Sequence, residues 1–449
     1  MWILFIAALC CLYLYTWVRL YPGKFPVYPG VIPLLGNVSI ISGGSEIITD
    51  PDDCYAVLSS CMHRSGAAKK FAKTFIGNGL LFGPVSVWKE HRKLINPTFN
   101  QQVLDGFIET FNSQSRRLVQ ELQEYAGKDS FNQHVCLEKN ALETVCLTTA
   151  GVDLTDQNEF NKKCLTAFRG VFNALAKRGM NPLLHFECFY NISNTKKEEL
   201  QHVKITHELT NIVLRRKRES QDKEQNNISG TKFKPFLDRL LESSDKLSTQ
   251  DLKDETNSMI LTGFESTSGT LSYCLLLLGT HNNIQEKCYQ EINEVFGDSD
   301  RDVTKDDLPR LKYIEMVLKE TMRLCPVVPY TTRVITEDVQ LKNAVLRKGH
   351  LCFVGLYGAM HHPTWGPDVE QFVPERWLDT SSLNPNAFAA FGHGRRNCVG
   401  KVYAMMMMKV SMVHILRAYR VRGDYHRMRI KNMGINKPVD GHQITLFNR

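Results

Sequence analysis

The chain has 449 residues, 43% of them apolar, and a formal net charge of +8 at neutral pH. That length buries a large core, and no linker-like, repetitive or low-complexity stretch divides it after the first few dozen residues, so one large globular unit is expected. The mild positive charge suits an anionic partner or a membrane surface; without a concentrated basic stripe it excludes a nucleic-acid footprint.

Met1 to Val18 carries no charge and reaches the lower end of the length that spans a bilayer. Arg19 and Lys24 follow on its carboxyl side, which keeps the rest of the chain cytosolic. A cleaved secretory signal would want a basic residue before the apolar run, and none is present. Residues 1–18 therefore read as an uncleaved membrane anchor. Pro22, Pro26, Pro29 and Pro33 cannot lie in one helix, so residues 19–44 read as a stiff, extended hinge. A globular domain over residues 45–449 follows. Thirteen cysteines, an odd number with no Cys-x-x-Cys pair, argue against a disulfide framework and a zinc site and for a reducing compartment.

Trp88 and Arg92 stand four apart on one predicted helix face, a stacking pair on the bland reading. Lys253 to His281 has apolar residues at helical spacing and few charges, and predicts one long buried helix. In its middle, Thr262-Gly263-Phe264-Glu265-Ser266-Thr267-Ser268 sets a helix-weakening glycine beside an acid and three hydroxyls. Such a polar insert suits a groove where oxygen binds and protons are relayed; a plain polar kink is the alternative. Leu311 to Leu324 predicts a helix ended by Cys325-Pro326, with Glu320 and Arg323 three apart on one face. His361 and His362 are adjacent, so their side chains diverge and do not make a metal pair. Phe372-Val373-Pro374-Glu375-Arg376-Trp377 adds a later arginine.

Phe391-Gly392-His393-Gly394-Arg395-Arg396-Asn397-Cys398-Val399-Gly400 carries the most information. One cysteine stands in a loop with a phenylalanine, glycines and an arginine at fixed offsets, before a long helical run. This arrangement suits a thiolate held as an axial ligand to haem iron. Cys398 then needs a depressed pKa, expected from the metal, nearby N–H donors and Arg396. Gly394 and Gly400 are expected to let the backbone pass close to a flat macrocycle.

The decapeptide resembles the haem-binding signature of the cytochrome P-450 superfamily, and the other landmarks follow in order from about residue 50 to the end. The resemblance implies a mostly helical fold with a small β region and haem between the Thr262 helix and the Cys398 loop. It implies a haem-thiolate monooxygenase that inserts one atom of dioxygen into a lipophilic substrate: a fatty acid, a steroid or other hormone, a terpenoid or a xenobiotic. Cys398 would be the iron ligand, with Phe391, Gly394 and Gly400 shaping its loop. Trp88, Arg92, Arg333 and Arg396 would contact the haem propionates. Glu320, Arg323 and Arg376 would form a buried charge triad supporting the cysteine loop. Gly263 would open room for dioxygen, and Glu265 with either Ser266 or Thr267 would relay protons. No Gly-x-Gly-x-x-Gly fingerprint occurs, so NADPH electrons would come through a flavoprotein reductase, with cytochrome b5 as a second donor. Lys89, Lys93, Arg395, Lys401 and Lys409 would form its docking face. Anchor and hinge resemble those of endoplasmic-reticulum members. Substrate contacts are expected from loops near Thr49 to Leu81 and helices around Phe168 to His207.

Trp88 to Phe99 and His207 to Arg215 resemble the branch of fatty-acid ω-hydroxylases and related insect enzymes. Two departures stand out. Thr262 occupies the position where many ω-hydroxylases carry a glutamate that esterifies the haem, which implies a non-covalently held porphyrin. Between Asn37 and Asp50 there are only a dozen residues, so the first helix and first strands of the small sheet are expected to be missing, leaving an exposed sheet edge. Two alternatives follow: a haem-thiolate isomerase or dehydratase, or a haem-binding form impaired by the shortening.

Overall fold

The computed structural model describes residues 45–224, 235–242, 247–432 and 434–449. The expected anchor and hinge lie outside these residues. Among the described residues no helix is long and apolar enough to cross a membrane.

The helices that position the site are α1 (Pro51–Ser60), α2 (Gly66–Ile76), α3 (Val85–Ile95), α4 (His134–Ala150), α5 (Asn158–Met180), α6 (Asn194–Glu224), α7 (Thr249–Thr280), α8 (Lys312–Leu324) and α9 (Lys401–Ala418). The strands are β1 (Ser45–Ile48), β2 (Phe131–Asn132), β3 (Thr331–Val334), β4 (Val339–Gln340), β5 (Val345–Leu346), β6 (Leu351–Val354), β7 (Tyr419–Gly423), β8 (Ile430–Asn432), β9 (Asn436–Pro438) and β10 (Gln443–Asn448). They pair as β1-β6-β3, β2-β10-β7, β4-β5 and β8-β9. The architecture is mostly α with small sheets, as expected.

The central helix α7 begins before its apolar pattern does. Ser248 Oγ accepts from the Asp251 N–H at 3.1 Å, and the Asp251 carboxylate accepts from the Ser248 N–H at 2.9 Å. This reciprocal cap satisfies two backbone donors and starts the helix at Thr249. Apolar residues then cover every side of the second half, where Leu275 to Leu278 are at most 2% exposed. Such a helix can only be a core element. It packs along α4 and crosses β7 and α8.

Thr49 to Leu81 is largely helical where loops were expected. The Asp50 carboxylate accepts from the Asp52 and Asp53 N–H groups ahead of Pro51, and Ser65 Oγ accepts from the Ala68 N–H. These two side-chain caps start α1 and α2. One strand of the expected gap is present: β1 runs parallel to β6, from Ser45 opposite Leu351 to Ile48 opposite Val354. Among the described residues it is the sheet edge, with Glu46 and Ile47 exposed.

Candidate active site

The cysteine loop is folded by its own backbone. The Cys398 N–H donates to the Phe391 carbonyl at 2.8 Å, and Asn397 N–H to Gly394 O at 3.2 Å. Gly392 and Gly394 have φ of +67° and +69°. A Cβ on Gly394 would stand 2.3 Å from the Leu58 carbonyl oxygen of α1, so the packing of α1 on the loop by itself requires a glycine there. A Cβ on Gly400 would lie 4.0 Å from Cys398 Sγ and 3.8 Å from the Phe99 ring. Phe391 lies under Lys401, whose Nζ is 5.7 Å from the ring centroid.

Cys398 is exposed at its loop, while protein closely surrounds its thiol. Enclosure by protein raises its pKa, while the Gly400 N–H and the Arg92 and Lys401 charges pull it down. The protein alone therefore does not favour the thiolate; a bound cation has to. Arg396, expected to assist, points elsewhere: its guanidinium lies 4.9 Å from the Trp88 ring centroid and donates to Gly83 O at 3.0 Å.

Arg396 belongs to a cradle of buried cations. Its Nε and Nη1 are buried without hydrogen-bond partners, and so is Nε of Arg64. Arg64 and Arg333 share the Thr331 hydroxyl, at 3.3 Å and 3.1 Å. Arg333 is also held by the carbonyls of Cys61 and Thr332. Burial and the charges of Arg333 and Arg396 push the Arg64 pKa down to about 9. Burial likewise lowers Arg333 and Arg396, each to about 10. Three guanidiniums that repel one another and leave N–H groups unused are unfavourable without an anion. Carboxylates such as haem propionates fit this donor set, because a planar fork binds them in two-point fashion. Arg64 carries no motif; only the turn after α1 brings it here. Arg92 donates to Asn397 O at 3.0 Å and Asn397 Oδ1 at 3.2 Å, tying α3 to the cysteine loop.

Behind this wall Glu320, Arg323 and Arg376 meet. Arg323 Nε and Nη2 donate to the two Glu320 oxygens at 2.9 and 2.8 Å, and Arg376 Nε donates to Oε1 at 2.9 Å. The Trp377 indole and the Val373 N–H complete the carboxylate at 3.0 and 3.1 Å. Glu320 and Arg323 are fully buried, and the triad joins α8 to the segment before the cysteine loop.

On α7, Thr262 is exposed and Ser266 half-exposed, one turn apart on the same face, while Thr267 is buried. Ser266 Oγ donates to Thr262 O at 2.8 Å; Thr267 Oγ1 is turned inward onto Gly263 O at 2.6 Å. A Cβ on Gly263 would stand 3.0 Å from both methyls of Val145 of α4, so a side chain fits there only if Val145 gives way by a few tenths of an ångström. Glu265 is buried and pairs with Lys437 Nζ of β9 at 2.5 Å. Burial raises its pKa against the pull of Lys437.

Of the expected docking lysines and arginine, Lys89, Lys93, Arg395 and Lys401 are exposed. Lys409 is not: it is buried, donating to Leu308 O at 2.9 Å and paired with Glu315 at 2.6 Å. Its place on the inner face of α9 removes it from any docking surface. His361 stacks on Tyr357 and His362 caps Thr364, so the two diverge.

Residues 40–445 match the cytochrome P450 family. The chain is 31% identical over 396 residues to cytochrome P450 4V2 of Mus musculus, covering 85% of this chain and 75% of that protein. It is 31% identical over 390 residues to cytochrome P450 4c21 of Blattella germanica, covering 84% and 78%. Against cytochrome P450 4d2 of Drosophila melanogaster it is 30% identical over 391 residues, covering 83% and 78%. With a cysteine loop and an arginine cradle suited to haem, the chain belongs to the cytochrome P450 family, in its family 4 branch, and is a haem-thiolate monooxygenase.

Proposed function

We propose that this enzyme oxidises a lipophilic substrate at the membrane surface, with electrons from an NADPH-dependent flavoprotein reductase and with cytochrome b5 as a second donor. The observation that carries the membrane part is a run of exposed apolar side chains joining α5 to α6. Met180, Leu183, Phe186, Phe189, Ile192 and Leu200 are 47–77% exposed. Monomeric proteins rarely leave so much apolar surface in contact with water, and a lipid surface would cover it. Phe168 of α5 packs against Phe75 of α2 and Phe264 of α7, with centroids 5.9 and 5.0 Å apart, so a greasy substrate would approach the central helix from that side. An anchor at residues 1–18, a hinge at 19–44 and a catalytic domain from residue 45 are consistent with an endoplasmic-reticulum membrane location.

When bound, haem would supply dioxygen activation at an iron that Cys398 would hold. Arg64, Arg333 and Arg396 would fix its propionates, Arg92 would brace the loop, and the Glu320 triad would keep both walls in register. Thr262 offers no carboxylate, so the porphyrin is held without an ester. Ser266 is the hydroxyl on the open face, which favours it over Thr267 for passing a proton; Glu265 would supply that proton. The exposed cations Lys89, Lys93, Arg395 and Lys401 would receive an acidic reductase, with a contact that weakens as salt rises.

The test is spectral first: the carbon monoxide difference spectrum of the dithionite-reduced microsomal protein should show the strongly red-shifted Soret band of a thiolate ligand. Product from dodecanoic acid that requires both NADPH and reductase then supports the oxidation reading. Turnover of an oxidised lipid without either would favour an isomerase or dehydratase. Reversing the four surface charges without changing the reduction rate would remove the docking face.

A further inference from the structure

The loop between α2 and α3, Gly77-Asn78-Gly79-Leu80-Leu81-Phe82-Gly83-Pro84, belongs to no motif of the sequence. Two acids in the second turn of α7 hold its backbone. Asp254 Oδ2 accepts from the Asn78 N–H at 2.7 Å, and Glu255 Oε2 accepts from the Leu80 N–H at 3.0 Å. The other Glu255 oxygen lies 2.6 Å from His91 Nδ1 of α3. His91 and Glu255 are 4% and 0% exposed. Burial opposes a charge on the imidazole, but the bond to Glu255 and its charge outweigh burial and raise the His91 pKa. His91 therefore keeps the proton that the carboxylate accepts.

The loop lies tight against α7. A Cβ on Gly79 would stand 2.6 Å from Ser258 Oγ and 2.8 Å from the Asp254 carbonyl oxygen, so only glycine allows this approach. The Gly83 N–H then donates to Gly79 O at 2.7 Å and closes the turn. What this turn touches is the arginine cradle. Gly83 O accepts from Arg396 Nη2 at 3.0 Å, and the Phe82 ring centroid lies 5.7 Å from the Arg64 guanidinium carbon. The unused donors of the cradle belong to these two residues: Nε and Nη1 of Arg396, and Nε of Arg64. A shift of the loop therefore moves the donors that an anion would need, and a binding site works only when such groups are held to about 0.5 Å.

We propose that His91, Asp254 and Glu255 are positioning residues for the haem propionates, acting through loop 77–84 on Arg396 and Arg64. This rests on the reading of those arginines as the haem cradle. The contacts run from His91 to Glu255, from Glu255 to the Leu80 N–H, and from Gly83 O to Arg396. None of the three positioning side chains needs to touch the haem.

The test uses the holoenzyme and two readouts, haem transfer to apomyoglobin and amide hydrogen exchange over residues 77–83. His91→Leu should speed exchange at Leu80 by about tenfold or more, the worth of a hydrogen bond to a charged group, and should speed haem transfer several-fold. Exchange over Leu275 to Leu278 should not change. His91→Asn, whose amide nitrogen can stand where Nδ1 stands, should restore most of both. Gly79→Ala pushes the loop off α7 and leaves the His91–Glu255 pair in place, so it too should speed haem transfer; it also covers a failure of His91→Leu to fold. If Arg396→Leu leaves haem transfer unchanged, the cradle reading falls and the proposal with it. If Arg396→Leu speeds transfer while His91→Leu and Gly79→Ala speed loop exchange alone, the loop does not position the cradle and the proposal is overturned. Faster haem transfer in His91→Leu with loop exchange unchanged would place the effect in α3 itself and overturn it as well.

Discussion

Arg323→Lys isolates what the buried triad does. Arg323 is fully buried and has five N–H donors. Its bonds go to both Glu320 oxygens and to the carbonyls of Met360, Val369 and Gln371, at 2.7 to 3.1 Å. Every donor has a use. Lysine keeps the charge but brings about three donors on a point head, so about two of the five acceptors lose their partner. At about 1–3 kcal/mol for each buried acceptor left unpaired, the expected loss is about 2–6 kcal/mol. A domain stable by about 5–15 kcal/mol would feel this as a large drop in melting temperature. Because the triad joins α8 to the approach to the cysteine loop, haem should be lost with it. The assay is haem content from the reduced carbon monoxide spectrum, paired with thermal unfolding of the holoenzyme. Lysine at this position with full haem content and stability within about 1 kcal/mol of wild type would refute the reasoning, since charge alone would then suffice.

Arg64→Leu should speed haem transfer to an apoprotein acceptor by about tenfold to a hundredfold, the worth of one charge-assisted bond of about 1.5–3 kcal/mol. In the haem-free protein the same change relieves repulsion from Arg333 and Arg396 and should raise the melting temperature; a fall in both states would contradict the cradle. Gly263→Ala should destabilise by about 1–3 kcal/mol through overpacking, because its Cβ would meet the Val145 methyls, and Val145→Ala in the same chain should restore stability. Glu199 of α6 is fully buried, neither oxygen is hydrogen-bonded, and Lys196 Nζ is 4.0 Å away. Burial pushes its pKa up from 4.5 to about 7, against the pull of Arg178. A raised pKa means that the folded state holds this proton more tightly than the unfolded chain. Its contribution is therefore present below pH 4.5 and lost as pH rises through about 7. Glu199→Gln should raise stability by about 3 kcal/mol at pH 8 and change it little at pH 4.5, measured by thermal unfolding at the two values.

The cysteine decapeptide is contiguous, so its chemistry was legible before any fold: Cys398 ends a loop that its own backbone closes onto Phe391. Helical periodicity likewise marked α7 and α8, because a stripe of apolar residues has only one way to be buried. The Glu320–Arg323 spacing is a local fact as well. Nothing local predicts the rest. Arg64 reaches the arginine cradle only because the turn after α1 packs beside β3, and Lys409 leaves the surface because its face of α9 turns onto Glu315. Gly394 and Gly263 were read as making space for a ligand; the tertiary structure adds that each also packs closely on a neighbouring element, Leu58 of α1 and Val145 of α4. The groups around Glu265 come from three separate stretches: His134 and Glu138, Arg169, and Lys437. A sequence shows the residue type that a chemistry needs. Which groups share a dielectric, a charge or a proton is set by distances across helix crossings, and only the tertiary structure fixes those.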